Sequence, residues 1–503
     1  MCEVEDDYIG ELREREKGLG QKCMKCKEGS AVLIIRVGDA FCKSCFKEYF
    51  VHKFRAMLGK NRVVYPGEKV LLAYSGGPSS SAMIQQVQEG LGRDAPKKLR
   101  FVPGIIFIDE GAVSGQSWEE REETFSNVRH VLEDTGFPFH IVRLEEVFLL
   151  PHSVLQRNLS ESTPQKQNYK QAVGHYMEQE DSQRRVVDEL AQLSTADPTS
   201  PRASDLLPNS SSPARFTEQL VQLFTSVKTL TAKQELLHTL RNHLILHTAR
   251  SYGYSKIMSG ESCTRLAVNL LSNISLGRGA FLPMDTGFSD SRYGDVLFIR
   301  PMREYSVKEI SFYNRLFNVP SIFIKTLDTK ALENSSIQRL TETFITKLQA
   351  DFPSTVSTVY RTSEKLNTCT AENRKDGILQ EQCLLCLCPL DTHSDRASAY
   401  QATKVSQNLS QRMKQNCAVP AKDSGKLCCK QGQCCEKTEN KPTLRAAGIV
   451  HILCYSCQVT MKDLESVDHL PQYIHHEAEH RTRRCEMRKE IQEFLLDDGS
   501  DDA

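Results

Sequence analysis

The chain has 503 residues, enough for two or three domains and a sizeable core, and its Lys plus Arg and its Asp plus Glu are equal at 64 each. That balance excludes a partner recruited by global charge, so any surface for nucleic acid must be a local cluster. An acidic start (residues 1–10) without a secretory layout, and apolar runs no longer than Val32–Ile35 or Gly104–Ile108, exclude a bilayer span and lead us to expect a cytosolic protein, in which eighteen cysteines mean thiols and metal sites rather than disulfides.

Residues 1–20 read as a flexible acidic terminus, and 21–62 as a four-cysteine zinc module with a basic segment. Cys23-x2-Cys26, fifteen residues, then Cys42-x2-Cys45 is the most specific spacing in the chain. Four thiolates on two short knuckles suit tetrahedral zinc, and a closed ligand set implies a structural role. A single CxxC could be a redox pair, but redox pairs do not come in twos at this spacing. Lys53, Arg55, Lys60 and Arg62 belong to the densest basic stretch, interleaved with Phe46, Tyr49, Phe50 and Phe54. Such a stretch can hold RNA phosphates and stack bases, and it fits equally an amphipathic helix whose aromatics face a core.

From 63 to 366 strands and helices alternate, which implies a doubly wound parallel α/β sheet. Strands are expected at Lys69–Tyr74, Gly104–Gly111 and Phe139–Val147, followed by a long helical pattern over Phe216–Ser251 and a helix over Ser306–Phe317. A Gln-, Ser- and Pro-rich stretch at about 151–215 reads as a largely disordered insertion, with one helix near Gln179–Leu193. Between the first strand and its helix, Ser75, Gly76, Gly77, Pro78, Ser79, Ser80 and Ser81 form a phosphate cradle. The glycines admit close backbone approach, and the hydroxyls and first-turn N–H groups donate to an anion. It is not a Walker A loop, having no Gly-Lys-Ser/Thr, and a glycine turn that merely packs strand on helix is the plainer alternative.

The region 367–474 reads as a second Cys-rich, zinc-binding module with a low-complexity insertion, and 475–503 as a helix (His475–Leu495) and acidic tail. Cys383 and Cys386 can join Cys454 and Cys457 in one zinc site, because loop closure costs little extra across the intervening gap; Cys388 is an alternative ligand or a spectator. Cys428, Cys429, Cys434 and Cys435 read as incidental, and a short strand is expected at Gly448–Cys454. Cys263 lacks an adjacent base and reads as packing, as does the His243/His247 pair, which lacks a metalloprotease glutamate.

The loop resembles the PP-loop, SGGxDS, of the N-type ATP pyrophosphatases, with Ser79 at the aspartate position. Together with the double CxxC, Ile108–Gly111, Arg300–Ile310, Phe352–Leu366 and the C-terminal Cys pairs, it is similar to the cytoplasmic tRNA 2-thiolation protein 2 family over nearly the whole chain. The resemblance implies a partner, the catalytic tRNA 2-thiolation paralogue, in a heterodimer. It also implies tRNA, with sulfur arriving on a thiocarboxylated ubiquitin-related modifier. Where the catalytic paralogues carry two aspartates this chain has Thr264 and Arg265, and where they carry a CxxC it has Leu236–Leu240. A neutral hydroxyl at Ser79 cannot supply a carboxylate's charge to a magnesium–phosphate site. ATP thus remains an open cofactor, and the loop a possible vestige. The expected role is an accessory subunit; an active sulfurtransferase and a zinc-stapled scaffold without RNA are the rivals.

Overall fold

Val70, Leu71 and Leu72 are wholly removed from solvent, which demands a strand covered on both faces, and the computed structural model builds one there. It describes residues 21–35, 39–92, 98–156, 213–352, 354–366, 382–390 and 449–492, with a helical stretch inside 169–178. In chain order, β1 (Leu33–Ile34) and β2 (Ala40–Phe41) form an antiparallel pair ahead of α1 (Lys43–Asn61). Then come β3 (Lys69–Tyr74), α2 (Pro78–Leu91), β4 (Val102–Asp109), α3 (Trp118–Glu133) and β5 (Phe139–Arg143). Two 3-10 turns, Leu144–Leu149 and His152–Leu155, lead to α4 (Pro213–Thr225), α5 (Leu230–Ser251), β6 (Lys256–Ser259) and α6 (Cys263–Ser275). The short α7 (Leu282–Thr286) precedes β7 (Ser289–Asp290), β8 (Leu297–Ile299) and α8 (Val307–Phe317). The remaining helices are α9 (Ile337–Asp351), α10 (Thr355–Thr362), α11 (Tyr455–Lys462) and α12 (Gln472–Gln492).

The sheet order is β5-β4-β3-β6-β8-β7, parallel throughout except for the β7–β8 edge pair. Alternation along the strands separates two cores. Val70, Leu72, Ile105, Met258 and Ile299 pack with the N-terminal hairpin, α1, α2, α3 and α8. Leu71, Ile106, Ile257 and Phe298 pack with α4, α5 and the C-terminal Cys segments. Each Cys module is therefore fused to a different face of one sheet.

The expected parallel sheet is present, with local differences that have physical causes. The second strand lies at Val102–Asp109, two residues early, and the third stops at Arg143. There Glu145 turns in to meet Arg121, Nη1 to Oε1 at 2.8 Å, and the chain coils into a 3-10 turn. The helical pattern over Phe216–Ser251 is two helices. Val227 forms a bridge with Leu464, Lys228 N donates to Asp463 O at 3.0 Å, and Thr229 restarts the helix by accepting from Ala232 N at 3.2 Å. The short strand expected at Gly448–Cys454 does not form in the part of it among the described residues, 449–454. Ile449, Ile452 and Leu453 are buried in turns that bring Cys454 to the N-cap of α11. The helix near Gln179–Leu193 and Cys428, Cys429, Cys434 and Cys435 lie outside the described residues.

Arg121 ties α3 to the ends of β4 and β5. Its Nη2 lies 2.7 Å from Asp109 Oδ2, and its side chain is 4% exposed. Removing the guanidinium strands two carboxylates in a site closed to water, which costs about 3–5 kcal/mol. Arg121→Ala is expected to lower stability by about that amount in urea unfolding followed by circular dichroism.

Candidate functional site

Strand order reverses at β3, with β4 and β5 on one side and β6 and β8 on the other. A crevice beyond the C-terminal strand ends at such a switch point is where open α/β sheets take ligands, and Ser75–Ser81 sits there. Gly76 has φ +77°, which favours glycine. Gly77 is the N-cap of α2 and Pro78 occupies its first turn, where the missing N–H costs nothing. The Ser80 hydroxyl serves the loop itself. Ser80 Oγ donates to Gly77 O at 2.9 Å, receives Ser75 N at 3.3 Å, and lies 3.2 Å from Ser75 Oγ. Ser80 and Ser81 are buried, whereas Ser75 is exposed and Ser79 half-exposed.

Two neighbours crowd the cradle. Ile322 N donates to Gly76 O at 2.8 Å, and a Cβ on Gly76 would lie 2.6 Å from Ile324 Cδ1. Just past β6, a Cβ on Gly260 would lie 2.9 Å from Ser80 N, so that loop presses on the first turn of α2.

Three nearby carboxylates are engaged by arginines. Asp109 holds Arg121 and also accepts Gly111 N at 2.8 Å. Glu110 accepts Arg241 Nη2 from α5 at 2.9 Å, and Glu261 accepts Arg300 Nε at 2.7 Å. Thr264 accepts Val307 N at 3.4 Å, and Arg265 reaches Glu342 at 4.0 Å. The arginine partners escape a motif search because they come from distant elements. The Leu236–Leu240 segment lies within α5, with Leu236, Leu237 and Leu240 in the core.

Cys263 is buried, and desolvation, aided by the nearby Glu309 charge, pushes its thiol up to about 11, so it is a protonated packing group at neutral pH. His243 is also structural. Its Nε2 lies 2.8 Å from Leu385 O, so Nε2–H donates there and Nδ1 accepts the Tyr473 hydroxyl at 2.7 Å. That neutral imidazole couples α5 to the C-terminal Cys segment and to α12.

Both Cys quartets assemble. Within each of Cys23, Cys26, Cys42, Cys45 and Cys383, Cys386, Cys454, Cys457, the sulfurs lie within 4.8 Å of one another. Tetrahedral bonds of about 2.3 Å to a single ion set thiolates about 3.8 Å apart; Cys26–Cys42 is 3.9 Å and Cys386–Cys454 3.6 Å. The two sites share one construction. In each, the residue after the first CxxC is left-handed (Lys27, φ 61°; Leu387, φ 57°) and its N–H bonds back to the first cysteine's carbonyl at 2.8 and 3.1 Å. In each, the second CxxC opens a helix, with Cys42 and Cys454 as N-caps. Cys388 is outside the quartet, its Sγ receiving Arg292 Nη1 at 2.9 Å.

In α1, Phe46, Phe50, Phe54 and Leu58 recur every four residues and are buried, so the three phenylalanines pack the core and offer no face to a base. Tyr49 donates to Glu309 at 2.9 Å. Lys53 is also turned inward, 2.8 Å from Glu309 and 16% exposed, with its ammonium 4.6 Å from the Tyr305 ring. Lys60 and Arg62 are exposed and Arg55 is half-exposed.

A model of the family described as Cytoplasmic tRNA 2-thiolation protein 2 matches residues 336–459. Curated proteins of that name are similar over the whole chain. The Xenopus tropicalis protein is 62% identical, covering 99% of this chain and 99% of its own; those of Danio rerio and Homo sapiens are 54% and 51% identical, covering 100% of this chain and 100% and 99% of theirs. Among solved structures, the U34-tRNA thiolase NcsA from Methanococcus maripaludis with its [4Fe-4S] cluster is 16% identical, covering 69% of this chain and 87% of that one at a TM-score of 0.44, too slight a likeness to argue from. No helix among the described residues is long and apolar enough to cross a membrane. The quartets carry their own expectation: elemental analysis of the purified chain finds two metal ions per chain, and Cys42→Ser lowers this to one.

Proposed function

This chain belongs to the cytoplasmic tRNA 2-thiolation protein 2 family, and from that premise we propose that it is the accessory, non-catalytic subunit of a cytosolic complex that 2-thiolates the wobble uridine of the Lys, Glu and Gln tRNAs. The catalytic paralogue, in a heterodimer with this chain, adenylates the uridine oxygen. Sulfur comes from a thiocarboxylated ubiquitin-related modifier. This chain contributes tRNA-binding surface, through Arg55, Lys60 and Arg62, and a stable sheet for its partner.

One observation carries the non-catalytic assignment. Binding Mg–ATP and stabilising a leaving pyrophosphate needs carboxylates free to hold the metal. Here Ser79, Thr264 and Arg265 stand at the positions where the resemblance implies acids, and Asp109, Glu110 and Glu261 are held by Arg121, Arg241 and Arg300. The loop that would cradle phosphate binds itself through Ser80 and is crowded by Ile324. Any remaining anion contact belongs to Ser75 and Ser79, the hydroxyls that still meet solvent.

The metal is zinc, one ion in each quartet, in a structural role. Sulfur spacings of 3.9 and 3.6 Å suit a single four-coordinate ion, and a closed set of four thiolates leaves no open position for substrate. The zinc would nucleate each knuckle and fix the helix behind it.

Cells lacking the protein are expected to lose the 2-thio group from wobble uridine when tRNA nucleosides are separated and weighed by mass spectrometry. Unchanged thiolation would refute the assignment.

A further inference from the structure

The C-terminal edge of the sheet is neutralised, but the opposite edge is not. Lys69 opens β3, Lys256 opens β6, Arg100 lies just ahead of β4, and α1 delivers Lys60 and Arg62 to the same end. Neighbouring strands stand about 4.8 Å apart, and Lys69 is in register with Val102, two residues after Arg100, so these two cations form a row on adjacent strands, while Lys256, in register with Val70, belongs to the other face. Lys98 adds to it beside Arg100. Lys60, Arg62, Lys69, Lys98 and Arg100 have no ion pair among the described residues. Glu68 is taken by Lys256 at 3.2 Å and by Tyr65 N at 2.8 Å. Glu133 and Asp134 lie to one side, at the end of α3 ahead of β5.

An aromatic face accompanies the row. Tyr252 is 53% exposed, and His140 backs its ring at 4.0 Å between centroids. Lys69 Nζ donates to the Tyr252 backbone carbonyl at 3.4 Å, which ties that residue to the row at Lys69. Cations alone would suit any polyanion. An exposed tyrosine braced by a second ring suits an unpaired base, which stacks on aromatic faces while its phosphates meet Lys and Arg.

We propose that this N-terminal edge, built from Lys69, Lys98, Arg100 and Tyr252, is a second RNA-binding surface that grips the backbone of a tRNA and stacks one unpaired base on Tyr252. The inference rests on the tRNA reading above and extends it to a face pointing away from the phosphate loop. An extended RNA can engage both the α1 surface and this edge, because Lys60 and Arg62 join them.

Fluorescence anisotropy of a labelled tRNA transcript with the full-length chain, across a salt series, tests this. The triple variant Lys69→Gln, Lys98→Gln, Arg100→Gln, which leaves the α1 cations in place, is expected to bind at least about ten-fold more weakly, with a salt slope shallower by about 2. Tyr252→Ala is expected to weaken binding about five-fold or more with an unchanged slope, and Tyr252→Phe to bind as wild type. Lys308→Gln with Lys347→Gln, on α8 and α9, is the charge-removal control, and thermal unfolding confirms that each variant folds. Equal affinity and slope for the triple variant and wild type would overturn the surface while the wobble-uridine assignment stands. A wild-type chain that binds no tRNA would also overturn it, leaving cellular thiolation to judge the functional reading on its own.

Discussion

Arg121, Arg241 and Arg300 leave α3, α5 and the end of β8 and converge on the C-terminal edge of one sheet, where they hold Asp109, Glu110 and Glu261. Each bond does two things at once. It fastens a helix or a strand end to the loops that close the sheet, and it engages a carboxylate that a metal site would otherwise use. The Arg121 guanidinium, 4% exposed, is tolerated only with its partners in place, so the architecture depends most on that pair. On the proposed reading, Ser79 is one part of a wider arrangement, in which a crevice that the topology opens for a ligand is bound up by the protein's own side chains.

The sheet in turn depends on its two Cys modules. Its faces bury separate cores, and each contains one quartet: Cys23 and Cys45 with the hairpin and α1, Cys383, Cys454 and Cys457 with α5 and α12. A metal ion in either site would order a stretch of chain with little regular structure of its own, since the knuckle residues bond mainly to one another and to the ion. His243, bonded to Leu385 and Tyr473, shows how closely the second module is integrated with the sheet. Zinc as a structural staple and a chain that lends its partner stability and surface are consistent with that arrangement.

Much of this was legible in the sequence. The run Val70–Leu72 could be buried only between two layers, and the spacing of Cys23, Cys26, Cys42 and Cys45 marked the first quartet, whereas for the second quartet Cys388 stood as an alternative ligand. The helix expected over Ser306–Phe317 is α8, which the structure opens with a capping box between Ser306 and Glu309. The losses at Ser79, Thr264 and Arg265 could also be read along the chain. What escaped were facts that depend on contacts between distant segments. Nothing local marks Val227 as the break between α4 and α5, because Leu464 makes that break. The Gly448–Cys454 run is apolar enough for a strand and is overruled by the need to place Cys454 at a helix start. Lys53 looked like an RNA contact until Glu309, 256 residues away, was seen to hold it. The arginine partners of Asp109, Glu110 and Glu261 belong to the same class.

The central claim is that this chain cannot engage Mg–ATP by itself, and calorimetric titration of the purified full-length chain with ATP, with and without magnesium, tests it most directly. The account predicts no saturable heat that depends on magnesium and no pyrophosphate release. Saturable, magnesium-dependent binding accompanied by pyrophosphate release, and lost in Gly77→Pro, would contradict it.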